Sequence, residues 1–150
     1  MTGSGQIDAE RAFTRVSRSR RRAALLRWLR RECPDDGQLP VSDAGALRAA
    51  GTRPRQTVSE IPLTDIRSTL EPNRASLFDC CFRPAASARA RWQRLWLAEQ
   101  RGAALPPISV VAVGDSYAVR DGHHRVSVAR ARGALTIDAV VDRAMPAAAR

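Results

Sequence analysis

The sequence has no lysine. All 25 basic residues of the 150-residue chain are arginine, set against 15 acidic ones, for a formal net charge of +10. Alongside 26 alanines, this skew reflects codon usage as much as selection, so the arginine excess is discounted accordingly. Aromatics are scarce: three Trp, three Phe and one Tyr. The core must therefore be small and built mainly from Val, Ile and Leu. No run approaches the ~18 consecutive apolar residues of a membrane span, which excludes a transmembrane helix. The opening Met1-Thr-Gly-Ser-Gly-Gln lacks an apolar signal core, and a cytoplasmic protein is predicted. Cysteine is limited to Cys33 and the adjacent pair Cys80 and Cys81, which excludes a disulfide framework.

What is present bounds the class. A hydrophobic share of 44% excludes a wholly disordered polyelectrolyte. The length suits one compact domain with a short appendage. The positive field attracts phosphates, whether on a nucleotide, a nucleic acid or an acidic membrane.

Residues 1–55 form the predicted appendage. The first eight residues read as a loose polar start. Ala9 to Glu32 is helix-prone and arginine-rich, but its apolar stripe changes phase. Ala9, Phe13 and Val16 share one face, and Leu25, Trp28 and Leu29 share another. Two short helices or one bent helix are predicted. Cys33–Pro40 is turn chemistry, a short helix follows over Asp43–Ala50, and Thr52–Gln56 is a linker.

The main domain is predicted over residues 56–143, with a frayed tail at 144–150. Val58–Leu63 reads as an edge strand because of Pro62. A polar, proline-containing stretch runs to about Arg83. Ala86–Arg101 is a helix with Ala88, Trp92, Leu95 and Trp96 on one stripe. Ile108–Val113 and Tyr117–Arg120 are strands joined by a Gly114-Asp115 hairpin. His123–Arg132 is a helix ending at Gly133, and Ile137–Val141 is the last strand. Intermixed elements with one antiparallel pair predict an α+β fold: a small mixed sheet with packed helices, preceded by a basic helical segment.

The segment richest in chemistry is Tyr117-Ala-Val-Arg-Asp-Gly-His-His-Arg125. A strand enters a tight Asp-Gly turn and a helix opens at once. The first helical turn presents free backbone N–H groups and the positive end of the macrodipole, which suit an anion. Gly122 permits close approach to the backbone. His123, His124 and Arg125 add donors, and Arg125 can grip a phosphate with two parallel hydrogen bonds. The bland alternative is a polar turn cap. Asp115 and Asp121 suit either turn formation or a role beside Mg²⁺. Histidines and the Cys80-Cys81 pair match no zinc spacing, so no metal site is predicted from them. Trp92 and Trp96 read as core rather than as a base-stacking platform. Arg91, Arg94 and Arg101 read as solvated surface, with phosphate contact as the alternative.

The run Leu105 to Arg125, with Glu60-Ile-Pro-Leu-Thr-Asp-Ile66 and Asn73-Arg74 upstream and Gly133 and Ile137-Asp-Ala-Val140 downstream, resembles the ParB/sulfiredoxin-like superfamily. It is most similar to the ParB N-terminal, or ParB-like nuclease, domain over roughly residues 57–142. The resemblance implies a nucleotide-phosphate site at Gly122, His123, His124 and Arg125. It further implies a nucleoside triphosphate, CTP or ATP, with Mg²⁺. His123 stands where sulfiredoxins carry their catalytic Cys, so sulfiredoxin chemistry is not carried over. ParB chains normally continue into helix-turn-helix and dimerisation domains. This sequence stops soon after its last predicted strand, so operator reading and clamp closure are expected only if a partner supplies them.

The functional expectation is a ParB-like nucleotide-binding module, associated with DNA or not. Two alternatives stay open. One is a small phosphotransferase or nuclease using His123 as the catalytic residue. The other is a DNA-binding protein without sequence preference, acting through the Arg-rich N-terminus. Trp28, Leu25 and Leu29 are candidates for docking on the main domain or on a second subunit in a homodimer.

Overall fold

The computed structural model describes residues 3–30, 37–43 and 55–143. All but Asp43 of the expected helix over Asp43–Ala50, most of the linker, Cys33 and the tail lie outside the described residues. The elements in chain order are α1 (Gly3–Leu29), β1 (Arg55–Pro62), β2 (Ile66–Thr69), the one-turn α2 (Pro72–Ala75), α3 (Arg89–Gln100), β3 (Ile108–Val113), β4 (Ser116–Asp121), α4 (His123–Ala131) and β5 (Thr136–Arg143).

The five strands form one mixed sheet in the order β1-β5-β3-β4-β2. β1 runs antiparallel to β5, with Val58 opposite Val140 and Ile61 opposite Ile137. β5 is parallel to β3, β3 and β4 form the antiparallel hairpin, and β2 is parallel to β4. This is the expected α+β arrangement, with β1 at an edge where Pro62 costs no ladder bond.

Two apolar clusters meet at α4. The larger joins Ile61, Ile66, Phe78, Ile108, Val110, Val119 and Val141 to Val126 and Ala129 of α4. The smaller joins Val128, on another side of α4, to Trp92 of α3 and to Ala12 and Phe13 of α1. α4 is thus buried on several sides, which is why Val126, Ser127, Val128 and Ala129 are all inaccessible. The Trp92 indole N–H donates to Ser127 Oγ at 2.9 Å, and Phe13 meets Trp92 edge-on at 5.5 Å. The N-terminal helix therefore shares a cluster with the sheet-bearing part of the chain.

Two expectations are corrected. α1 is continuous from Gly3 to Leu29, so the loose start and the two-helix alternative are corrected, while the expectation of one helix holds. Its N-terminal half packs through Ala9, Ala12 and Phe13, while Leu25, Leu26, Trp28 and Leu29 are exposed. The change of stripe falls where, among the described residues, the packing on Trp92 ends, and Ala, Leu and Arg sustain the helix beyond it. The polar stretch before Arg83 also contains the unexpected β2 and α2. No helix among the described residues is long and apolar enough to cross a membrane.

Candidate phosphate site

β4 delivers the chain to Gly122, whose φ of +106° and ψ of 22° place it in the left-handed region. A side chain there is excluded twice. The conformation disfavours any L-residue, and an added Cβ would lie 2.5 Å from Ile108 Cγ2. α4 opens at the next residue with no side-chain cap on its first turn. Its first intrahelical bond runs from Val126 N–H to Gly122 C=O, so the amides of His123, His124 and Arg125 have no acceptor within the helix. The nine-residue helix aligns its dipole on that uncapped end.

Both histidines are buried. His123 Nε2 lies 2.6 Å from Thr69 Oγ1, and that hydroxyl also accepts the Glu71 N–H at 2.9 Å. The His123 ring stacks on Phe78 at 6.2 Å, and His124 meets the same ring edge-on at 5.1 Å. Burial pushes the His123 pKa down to about 4, with Arg74 and His124 adding to the depression against Asp121. His124 is also depressed to about 4, by burial first and then by Arg91 and Arg74. Both imidazoles are neutral at pH 7.

Arg125 does not point freely at the turn. Its Nη1 donates to the carbonyls of Pro106 at 2.6 Å and Pro107 at 2.9 Å, and its Nη2 donates to Asp121 Oδ2 at 2.7 Å. Only 13% of its side chain is exposed. The expected two-pronged grip on a phosphate is thus taken up by the protein itself. Arg125 ties the loop before β3 to the turn, and Asp121 is correspondingly a partner of Arg125.

Two other arginines face the turn instead. A cavity of about 150 Å³ is lined by Gly122, His123, His124 and the paired Arg125 and Asp121, together with Arg74 from α2 and Arg91 from α3. Among the described residues neither Arg74 nor Arg91 has an ion pair or a side-chain hydrogen bond. Arg120 also lines it but is bound to Asp142 at 2.5 Å. Among the described residues Glu71 is the lining carboxylate without a side-chain partner. Arg74 lies inside the resembling segment, and Arg91 is exposed, as its reading as solvated surface expects. Their convergence is tertiary: α2 and α3 are brought to one end of α4 by the sheet and by the Trp92 cluster. The usable sequence signal was the lack of any acidic residue at helical spacing from Arg91.

Trp92 is fully buried, and the Trp96 face is covered by the Arg132 guanidinium at 4.0 Å, so the pair serves packing, as expected. Among the described residues no three His, Cys, Asp or Glu side chains come together in a way that could hold a metal ion. Cys80 and Cys81 are free thiols with their sulfurs 3.9 Å apart.

No family model matches the chain, and no curated protein is similar to it. Among solved structures, sulfiredoxin from Arabidopsis thaliana is similar at 21% identity, over 58% of this chain and 85% of that chain, with a TM-score of 0.44. A likeness at that level assigns no residue role.

Proposed function

We propose that the turn before α4 binds the phosphate of a nucleotide, and that the protein is a nucleotide-binding module rather than a catalyst. The carrying observation is the pairing of an uncapped helix N-terminus with two arginines, Arg74 and Arg91, that have no acceptor of their own. Three amides at a positive helix end and two guanidiniums supply the donors that a phosphate's oxygens need. The cavity is smaller than the ~300–1,000 Å³ of pockets that enclose whole small molecules. It suits the phosphate part of a ligand whose base and sugar lie outside it.

Each residue has a distinct part in this reading. Gly122 lets the anion reach the backbone. His123 and His124 pack on Phe78 and hold the turn in shape, neutral and therefore not repelled by Arg74 and Arg91. Arg125 positions the turn through Pro106 and Pro107. Mg²⁺ is held in such sites by one or two carboxylates and the phosphates themselves. Glu71 is the side chain placed to meet a phosphate-bound Mg²⁺, and the ion would offset the charge of a triphosphate. A buried imidazole with a pKa of about 4 is poorly matched to proton transfer near neutrality, which favours binding over the phosphotransferase or nuclease reading.

Calorimetry with CTP, ATP and GTP, each with Mg²⁺, tests this reading. Heat with at least one nucleotide, lost in Arg74→Ala/Arg91→Ala, is expected. No heat with any of them would overturn it.

A specific observation favours a second activity, association with DNA without sequence preference. Arg11, Arg15, Arg18 and Arg22 recur at helical spacing along one exposed row of α1, and none has an acceptor among the described residues. The row spans ~16 Å at 1.5 Å per residue, enough to follow several phosphates of a backbone. Binding of a DNA duplex that weakens steeply with salt supports it; salt-independent or absent binding counts against it.

A further inference from the structure

A second cavity, sharing no residue with the phosphate site, lies where α1 crosses the sheet-bearing part of the chain. Its volume is about 480 Å³, within the ~300–1,000 Å³ range of small-molecule sites. Its apolar walls are Val16 of α1, Leu63 before β2, the Phe82 ring and Ala131 at the end of α4, with the hydroxyls of Ser19, Thr64 and Ser127 also on the lining. The charged lining is of one sign, with Arg15, Arg83 and Arg130 and no carboxylate.

The three arginines differ in what they have left to offer. Arg83 is neutralised from behind by Asp79 at 2.7 Å and is fixed to Ser19 Oγ at 2.9 Å. Arg130 bonds only backbone carbonyls, those of Leu63 at 2.7 Å and Ile66 at 2.9 Å, and its buried Nε has no partner. Its guanidinium also sits 5.2 Å over the Phe82 ring, which orients it at the cavity wall. Arg15 is exposed and has no acceptor among the described residues. A pocket with an apolar body and uncompensated guanidiniums at its rim is complementary to a molecule with the opposite pairing.

We propose that this cavity binds a small apolar monoanion, an aromatic or short-chain carboxylate or sulfonate. Its hydrocarbon part lies against Val16, Leu63 and Phe82, and its anionic group faces Arg15 and Arg130. A nucleotide fits less well, because the base and sugar edges would lie against Val16, Leu63 and Phe82, and Arg83 is already committed to Asp79 and Ser19. The Cys81 thiol lines the same cavity and is exposed, so it reports on occupancy without belonging to the binding chemistry.

The test uses the full chain with anilinonaphthalene sulfonate and decanoate as probes, and decyltrimethylammonium and inorganic phosphate as controls. One molar equivalent of each anionic probe is expected to bind, and the cation is not. Inorganic phosphate and ATP should not compete, which separates this site from the α4 turn. Arg15→Glu, at an exposed position, should weaken the anions about tenfold, the effect of losing one charged contact. Ala131→Trp should fill the cavity and abolish binding. In a Cys33→Ser/Cys80→Ser background, bound decanoate should slow alkylation of Cys81. Equal affinity for the cation, undiminished binding in Arg15→Glu, or unprotected Cys81 at saturating anion would each overturn the proposal.

Discussion

At the head of α4, Arg125 spends both terminal nitrogens on Pro106, Pro107 and Asp121. On the outer row of α1, Arg11, Arg15, Arg18 and Arg22 have no acceptor among the described residues. The same residue type thus does two kinds of work. Around the turn, arginine is divided between a brace that shapes the backbone and two cations, Arg74 and Arg91, that arrive from other elements. On α1 it is a repeated charge with no fixed geometry. A phosphate at the turn meets three backbone amides held by the fold alongside Arg74 and Arg91, whereas one at α1 meets only exposed side chains and a diffuse field. Selectivity is therefore expected at the turn, and salt-sensitive, sequence-blind attraction at the helix.

The largest expected effect lies at Gly122. Gly122→Ala imposes a side chain at φ +106° and drives its Cβ into buried Ile108, so stability should fall by about 2 kcal/mol or more in urea unfolding. A neutral result would mean that the turn is not rigid and that the contrast with α1 is overstated. Arg125→Ala comes next. It frees two carbonyls and a carboxylate at solvent-exposed contacts and should cost about 1 kcal/mol of stability. Loss of nucleotide affinity with unchanged stability would instead return Arg125 to the role of direct ligand.

Acid sharpens the same comparison. His123 and His124 have folded-state pKa values of about 4 against an ordinary 6.5, so the unfolded chain takes up protons first on acidification. Their contribution to stability is complete above about pH 6.5 and is lost as pH falls toward 4. The urea midpoint should drop across that window, and His123→Asn should flatten the drop. A midpoint independent of pH between 7 and 4.5 would contradict the burial assigned to both rings.

The element plan was largely legible in the sequence because its signals are local. Trp92 and Ala88 mark the buried stripe of α3, Gly114-Asp115 marks the β3–β4 hairpin, and the Asp-Gly turn marks the start of α4. β2 was not legible: Ile66-Arg-Ser-Thr is four residues long, and its pairing is parallel to the distant β4. The stripe of α1 changes face where its packing on Trp92 ends among the described residues, which left two helices and one helix equally open in the sequence. At the site, Gly122 could be read from turn chemistry alone. The exchange of Arg125 for Arg74 and Arg91 could not, since hydrogen-bond competition by the Pro106 and Pro107 carbonyls is a property of the folded chain.

The smallest effect on stability is expected where the arginines are free. Arg11→Gln/Arg18→Gln/Arg22→Gln should leave the unfolding midpoint nearly unchanged, because exposed charges away from special contacts contribute little. The same variant should reduce the salt dependence of duplex DNA binding by about 0.9 in log–log slope per lost phosphate contact. An unchanged slope would remove α1 from the DNA-binding reading.

The most direct test of the central claim is an amide NMR titration of the intact chain with Mg²⁺-nucleotide. The account predicts that the His123, His124 and Arg125 amide signals shift together and saturably, and that Arg74→Ala/Arg91→Ala abolishes those shifts while the fold persists. Shifts confined to α1, or an undisturbed turn at saturating nucleotide, would contradict it.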